Sequence, residues 1–164
     1  MKQNEIIDKL KKIPLFAEIC ENDEYMNEVS RICTIRKFRK DEKIIVEGDI
    51  GSEMFIVYDG AVEIIKRSRA GDDFTVVKLK AEYNVFFGEM ALIDDDKRSA
   101  TVLALEDSIF IVIDKDDFEK LGNRKPEIGL PITRVILKTL ASRLRKTNED
   151  VLTLFDALVN EIKN

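Results

Sequence analysis

Residues 86–102 read FFGEMALIDDDKRSATV. Gly88 and Glu89 interrupt what would otherwise continue as an apolar run. Three aspartates then lead to a single arginine, Arg98, ahead of a β-prone segment. A short helix starting at Glu89 would leave backbone N–H donors at Met90 and Ala91 without intrahelical partners, and such donors favour a phosphate. Gly88 has no Cβ, so a ligand can come close to the backbone there. The guanidinium of Arg98 is a planar fork that matches two phosphate oxygens. Phosphate repels Glu89, whereas a ribose hydroxyl can donate to it. Glutamate plus arginine therefore selects an object that is anionic on one side and hydroxylated on the other. Taken singly, each residue has a plainer use: Glu89 can complement a helix N-terminus, and Arg98 can pair with a loop aspartate.

Asp94, Asp95 and Asp96 read as a solvated loop tip. At ~10 Å in water each would repel a bound phosphate by about 0.4 kcal/mol before screening by salt. Arg98 at ~4 Å in a partly buried site offers about 4 kcal/mol gross. The arginine wins, and the aspartates only trim affinity or slow anion entry.

Upstream and downstream of this stretch, short β-branched and aromatic runs alternate with turn signals: KIIVEGD, EMFIVYDG, AVEIIKR, FTVVKLK, ATVLALED and SIFIVID. Gly48-Asp49, Asp59-Gly60 and Gly71-Asp72 punctuate them. Strands this short and this evenly spaced predict a sandwich or a jelly-roll β-barrel. Residues 3–12 and 22–32 have helical periodicity, with Ile6, Ile7 and Leu10 on one face. Helical pattern returns at Asp114, an N-cap with an acid three residues later. Pro126 and Pro131 mark a broken entry to one long helix over about residues 132–161. The expected class is mainly β with flanking helices. Residues 1–125 would form the β-roll with its N-terminal helices, and 126–164 a helical extension.

Bulk properties exclude several functions. The chain has 164 residues, 45% hydrophobic and 36% charged, with a formal net charge of −5. An acidic chain lacks the basic surface that phosphate neutralisation along a nucleic acid requires. The complete absence of histidine removes His-based catalysis and the commonest ligands for zinc or non-haem iron. No catalytic residue, metal ligand or cofactor is expected. Cys20 and Cys33 read as two small core residues in a reducing compartment. The charged N-terminus does not read as a signal peptide, and no apolar run approaches the ~18 residues of a membrane span. The expectation is a cytoplasmic protein with no membrane association.

FGEMALIDDDKRSATV, residues 87–102, resembles the phosphate-binding cassette of cyclic nucleotide-binding domains. That cassette has the form F-G-E-aliphatic-A-L, a loop, then R-S/T/A-A-T-V. IPLFAEI and EKIIVEGDIGSEMFIVYDGAVEII are similar to the family's entry segment and its glycine-marked strand pairs, so the resemblance runs from about residue 13 to 148. It implies a β-roll of about eight strands with a nucleotide held against the cassette. In that frame Glu89 accepts from the ribose 2′-hydroxyl and Arg98 pairs with the cyclic phosphate. The backbone at Gly88, Met90, Ala91 and Ser99 lines the sugar-phosphate, and the Ser99 hydroxyl adds a hydrogen bond. One departure stands out. The family usually has glycine and aspartate where this chain has Asn84 and Val85; asparagine tolerates left-handed backbone angles, so the turn is expected to survive.

In the long helix, Leu137, Leu140, Leu144, Thr147, Val151, Leu154 and Leu158 alternate at spacings of three and four, a heptad seam with one polar member. Ile132, Val135 and Ile136 would serve the barrel side near its start. Where the helix outruns the barrel its seam needs another partner, and a parallel homodimer is expected. ASRLRKTNEDV, residues 141–151, is similar to the dimerising helix of bacterial catabolite activator-type regulators, where a Thr-Ser pair contacts adenine and one member reaches across from the partner. Thr147 matches the first position, and Asn148 departs from the second. The resemblance tilts the ligand toward cyclic AMP over cyclic GMP, mildly, since Ser99 stands where some cyclic GMP receptors place a hydroxyl. Arg143, Arg145 and Lys146 read as a solvated helix face.

These readings combine into a cyclic-nucleotide-binding regulatory module that binds no nucleic acid by itself and acts on an effector the sequence does not name. Activator-type relatives carry a helix-turn-helix after this helix. A chain that stops at Asn164 has no room for one, so the sensor fragment of a DNA-binding regulator is the alternative. A jelly-roll enzyme is a more remote one.

Overall fold

In a computed structural model, which describes residues 1–163, helices flank two antiparallel sheets. Helix α1 spans Gln3–Leu10 and α2 spans Asp23–Arg31, with a 3-10 turn at Pro14–Phe16 between them. Eight strands follow: β1 Cys33–Phe38, β2 Lys43–Ile45, β3 Glu53–Asp59, β4 Ala61–Arg67, β5 Asp73–Lys80, β6 Phe86–Phe87, β7 Thr101–Ala104 and β8 Ser108–Asp114. Helices α3, Lys115–Arg124, and α4, Pro126–Lys163, close the chain. The expected mainly-β fold with flanking helices and a long C-terminal helix is the one present. Its strands hydrogen-bond as two four-stranded sheets, ordered β1-β8-β3-β6 and β2-β7-β4-β5. Strand β1, CTIRKF, is not among the runs read from sequence, because its charged and polar residues dilute the alternating pattern; it pairs with β8 at the sheet edge.

The core has two compartments, which explains the apolar runs MFIV and FIVI. Phe55, Val57, Phe110 and Val112 point between the sheets, where they meet Ile45, Val62, Phe87 and Val102. Met54, Ile56, Ile111 and Ile113 point the other way, onto Leu10, Ile13, Phe16, Met26, Phe118, Leu121, Ile128, Ile132 and Ile136. Strands covered on both faces lose the polar half of the alternation. Phe55 and Phe87 stack at 5.4 Å, and Phe110 meets both edge-on at 6.2 and 5.9 Å. Gly60 turns between β3 and β4 at φ +92°, where a Cβ would fall 2.2 Å from the Ser108 hydroxyl, so only glycine closes this hairpin. Burial pushes the Cys33 thiol up to about 12, leaving it an unreactive core group.

The helices largely match their patterns. Asn22 caps α2 by accepting from Tyr25 N–H at 3.1 Å. Asp114 caps α3 by accepting from Asp116 N–H at 2.9 Å. The expected broken entry at Pro126 and Pro131 is corrected. Helix α4 is continuous through Pro131 and begins at Pro126, whose missing N–H costs nothing in the first turn. Pro131 inside a helix costs about 3 kcal/mol. Against that, Ile128, Ile132 and Ile136 are fully buried around it, each worth about 1.5–3 kcal/mol. Gly129 lies so close to Gly122 of α3 that a Cβ on it would sit 2.6 Å from the Gly122 Cα, so α3 and α4 cross in tight contact. Beyond Arg143 the helix leaves the body, and Leu144, Val151, Leu154, Phe155 and Leu158 are exposed.

Candidate functional site

The cassette residues line one cavity of about 580 Å³ between the second sheet, the segment 83–102 and the first half of α4. Strand β6 pairs with Phe55 and Ile56 of β3 and delivers the chain to Gly88, whose φ of +75° turns it sharply. A Cβ at Gly88 would lie 3.0 Å from the Glu53 carbonyl and 3.1 Å from Arg98 Nη1. Glycine is needed here for both backbone angle and space. The chain then makes a single 3-10 turn, Glu89–Leu92. This corrects the expectation of a free donor at Ala91, whose N–H already donates to the Gly88 carbonyl at 3.2 Å. Four residues also align too few peptide dipoles for a strong N-terminal field. Attraction for an anion therefore falls mainly to Arg98.

Arg98 is held from all sides. Its backbone N–H donates to Asp49 O at 2.8 Å and its carbonyl accepts from Gly48 N–H at 2.9 Å. Its guanidinium donates to Glu53 O at 2.7 Å and Gly88 O at 3.4 Å. Burial pushes its pKa down from the ordinary value, with the Glu53 charge acting against the shift. The Glu53 carboxylate is engaged by both terminal nitrogens of Arg36, which leaves Arg98 without a dedicated side-chain counter-ion in its hydrogen bonds. Gly51 makes room for it, since a Cβ there would lie 2.6 Å from Arg98 Nε. The sequence pattern does not single out Gly51; its role comes from a contact 47 positions away.

Glu89 is 2% exposed and accepts from Arg143 Nη1 at 2.5 Å. This revises the reading of Arg143 as part of a solvated face. Its outer part is solvated, but its tip crosses to the cassette, and Val135, Thr139 and Arg143 line the cavity at four-residue steps along α4. The signal was available: Val135 already faced the barrel, and one helical face recurs every three to four residues. Arg143 neutralises Glu89 on one oxygen and leaves the carboxylate further acceptor capacity.

Six of the eight candidate residues, Gly88, Glu89, Met90, Ala91, Arg98 and Ser99, line the cavity, and Ser99 is exposed at its edge. Thr147 and Asn148 do not. Both are exposed on the free part of α4, where the Thr147 hydroxyl donates back to Arg143 O at 3.0 Å. Ile64, Val77, Leu79 and Val85 supply the apolar wall opposite the cassette, with Tyr83 at the rim. Asp94 and Asp96 also border the cavity, while Asp95 turns away to pair with Lys115 at 2.6 Å. Asn84 adopts φ 51°, ψ 50°, so the left-handed turn survives the replacement of glycine. Among the described residues there is no cluster of metal-binding side chains. No helix among them is long and apolar enough to cross a membrane.

Over 113 residues the chain is 28% identical to the cyclic AMP receptor protein of Thermus thermophilus, covering 69% of this chain and 50% of that one. Over 114 residues it is 32% identical to cGMP-dependent protein kinase 2 of Homo sapiens, covering 68% of this chain and 14% of the kinase. The chain thus spans half or less of the length of these two relatives. The crystal structure of Thermus thermophilus catabolite activator protein superposes with a TM-score of 0.76 at 26% identity, over 86% of this chain and 62% of that one. Residues 35–125, more than half of the chain, match the family described as the cyclic nucleotide-binding domain. With its cassette, paired sheets and trailing helix placed as described, the chain belongs to the cyclic nucleotide-binding domain family of regulatory modules.

Proposed function

We propose that this chain binds a cyclic nucleotide, cyclic AMP in preference to cyclic GMP, and couples its presence to α4. The observation that carries the reading is the meeting of three charged groups on one cavity: Arg98 for the phosphate, Glu89 for the ribose, and Arg143, which ties Glu89 to α4. In this reading Glu89 accepts from the 2′-hydroxyl, and the backbone of Gly88, Met90 and Ala91 packs along the sugar-phosphate. Ser99 donates from the edge. The ligand bridges cassette and helix, so its binding changes how firmly α4 is held.

Residues 1–125 serve as the binding module and 126–164 as the helical extension. The exposed apolar seam of α4 supports a parallel homodimer, in which Thr147 and Asn148 reach a nucleotide base, one of them across the subunit boundary. Preference for cyclic AMP rests on that placement of Thr147. The module catalyses nothing itself and signals to an effector protein or domain. Similarity to 62% of the length of a catabolite activator supports a second reading, the sensor portion of a DNA-binding regulator. Titration calorimetry with cyclic AMP, cyclic GMP and linear AMP tests the proposal. Tightest binding is expected for cyclic AMP, and a panel with no cyclic nucleotide bound overturns it.

A further inference from the structure

The place where this chain departs from the cassette pattern has acquired a contact of its own. Asn84 stands in the left-handed region, where glycine would present no side chain. Its carboxamide oxygen accepts from Lys9 Nζ at 3.1 Å, and the same ammonium donates to the Ala81 carbonyl at 2.8 Å. The Ala81 carbonyl also accepts from Asn84 N–H at 3.2 Å, so one ammonium and one amide together close the turn 81–84. Lys9 belongs to α1, more than seventy positions earlier in the chain. It is half-buried, and burial lowers its pKa from the ordinary value, with Lys12 adding to the shift and Asp59 opposing it. Such a group is held by its hydrogen bonds rather than by solvent.

The turn it closes forms the rim of the cavity: Tyr83, Asn84 and Val85 all line it. Pro14, four residues past the end of α1, lines the same rim. Val85 is tied in turn to β3, its carbonyl accepting from Val57 N–H at 3.1 Å. On this side of the cavity Pro14 and the 81–85 turn come together, and Lys9 is a polar link from α1 to that turn.

We propose that Lys9 is a positioning residue for the nucleotide site: through Asn84 it sets the rim against which the ligand closes and makes the docking of α1 respond to ligand. The inference rests on the reading of this cavity as the nucleotide site. Coupling of this kind is reciprocal, so what steadies the rim for the nucleotide must also let the nucleotide steady α1.

Four proteins, wild type, Lys9→Met, Asn84→Gly and the double variant, are titrated with cyclic AMP and with cyclic GMP. Amide hydrogen exchange over α1 is followed with and without each nucleotide. Asn84→Gly keeps the left-handed turn while removing one of the two Lys9 acceptors, so it tests the link even if Lys9→Met folds poorly. Each single variant is expected to weaken binding of the preferred nucleotide about three- to tenfold. The double variant should be no weaker than the worse single one, because the bond that Asn84→Gly removes is one of the two that Lys9→Met removes. Nucleotide should slow exchange in α1 of wild type and do so less in Asn84→Gly, where Lys9 keeps its bond to the Ala81 carbonyl. Additive losses, or wild-type affinity with undiminished protection of α1 in Asn84→Gly, overturn the positioning role alone. A wild type that binds neither nucleotide overturns the functional reading and this inference with it.

Discussion

Replacing Arg98 by alanine is the most demanding test of the site. The guanidinium is half-buried, donates to Glu53 O and Gly88 O, and has Gly51 cleared away beneath it. At ~4 Å and an effective dielectric constant of ~20, a phosphate and this charge attract by about 4 kcal/mol gross. Truncating one side of a buried charge-assisted pair costs about 2–5 kcal/mol. Partial exposure of Arg98 places the expected loss in the lower half, about 2–3 kcal/mol, or roughly 30- to 150-fold in Kd. The variant also removes a donor from the Glu53 carbonyl, while the Gly88 carbonyl keeps Ala91 N–H, which should cost about 1 kcal/mol of stability and lower Tm by about 2–4 °C. Calorimetry with cyclic AMP, alongside thermal unfolding followed by circular dichroism, separates the two effects. Arg98→Lys keeps the charge but not the fork and should fall between wild type and alanine. If Arg98→Ala stays folded and binds as wild type does, the phosphate is not read by this side chain and the assignment of the cavity is wrong.

Glu89→Ala should weaken cyclic AMP by about tenfold yet barely alter binding of its 2′-deoxy analogue, both measured by calorimetry; equal losses would make Glu89 a support for the fold through Arg143 rather than a reader of the ribose. Gly51→Ala should weaken the nucleotide several-fold with little loss of Tm, because its Cβ displaces the Arg98 side chain rather than straining its own backbone. In sedimentation runs with and without cyclic AMP, the nucleotide should tighten association of the wild type, Thr147→Ala should reduce that coupling, and Leu154→Glu should give monomers of weaker ligand affinity; a wild type whose association ignores the nucleotide removes the dimer-switch reading.

The sequence alone was enough for the fold class, the cassette and the identity of most cavity-lining candidates. Those features are local: the F-G-E-M-A-L turn needs a left-handed glycine, the strands need β-branched runs between turns, and α4 needs apolar residues at helical spacing. Asn84 could be trusted to hold its turn because its backbone tolerance belongs to the residue itself. What sequence reading missed depends on partners far away in the chain. It expected a break at Pro131, but burial of Ile128, Ile132 and Ile136 in the core beside α3 and the Pro14–Phe16 turn keeps the helix continuous. It expected a free donor at Ala91, but the chain tightens into one 3-10 turn and closes Ala91 onto Gly88. It left Arg143 to solvent, but a carboxylate buried 54 positions earlier draws its tip into the cavity. The same holds for Gly51 under Arg98 and for Lys9 on Asn84. Periodicity reports which face of an element is apolar, whereas a charged side chain on a long stem finds its partner only when folding brings another segment within hydrogen-bond reach. Local motifs therefore carried the resemblance to the family, and tertiary packing decided which charges meet in the cavity.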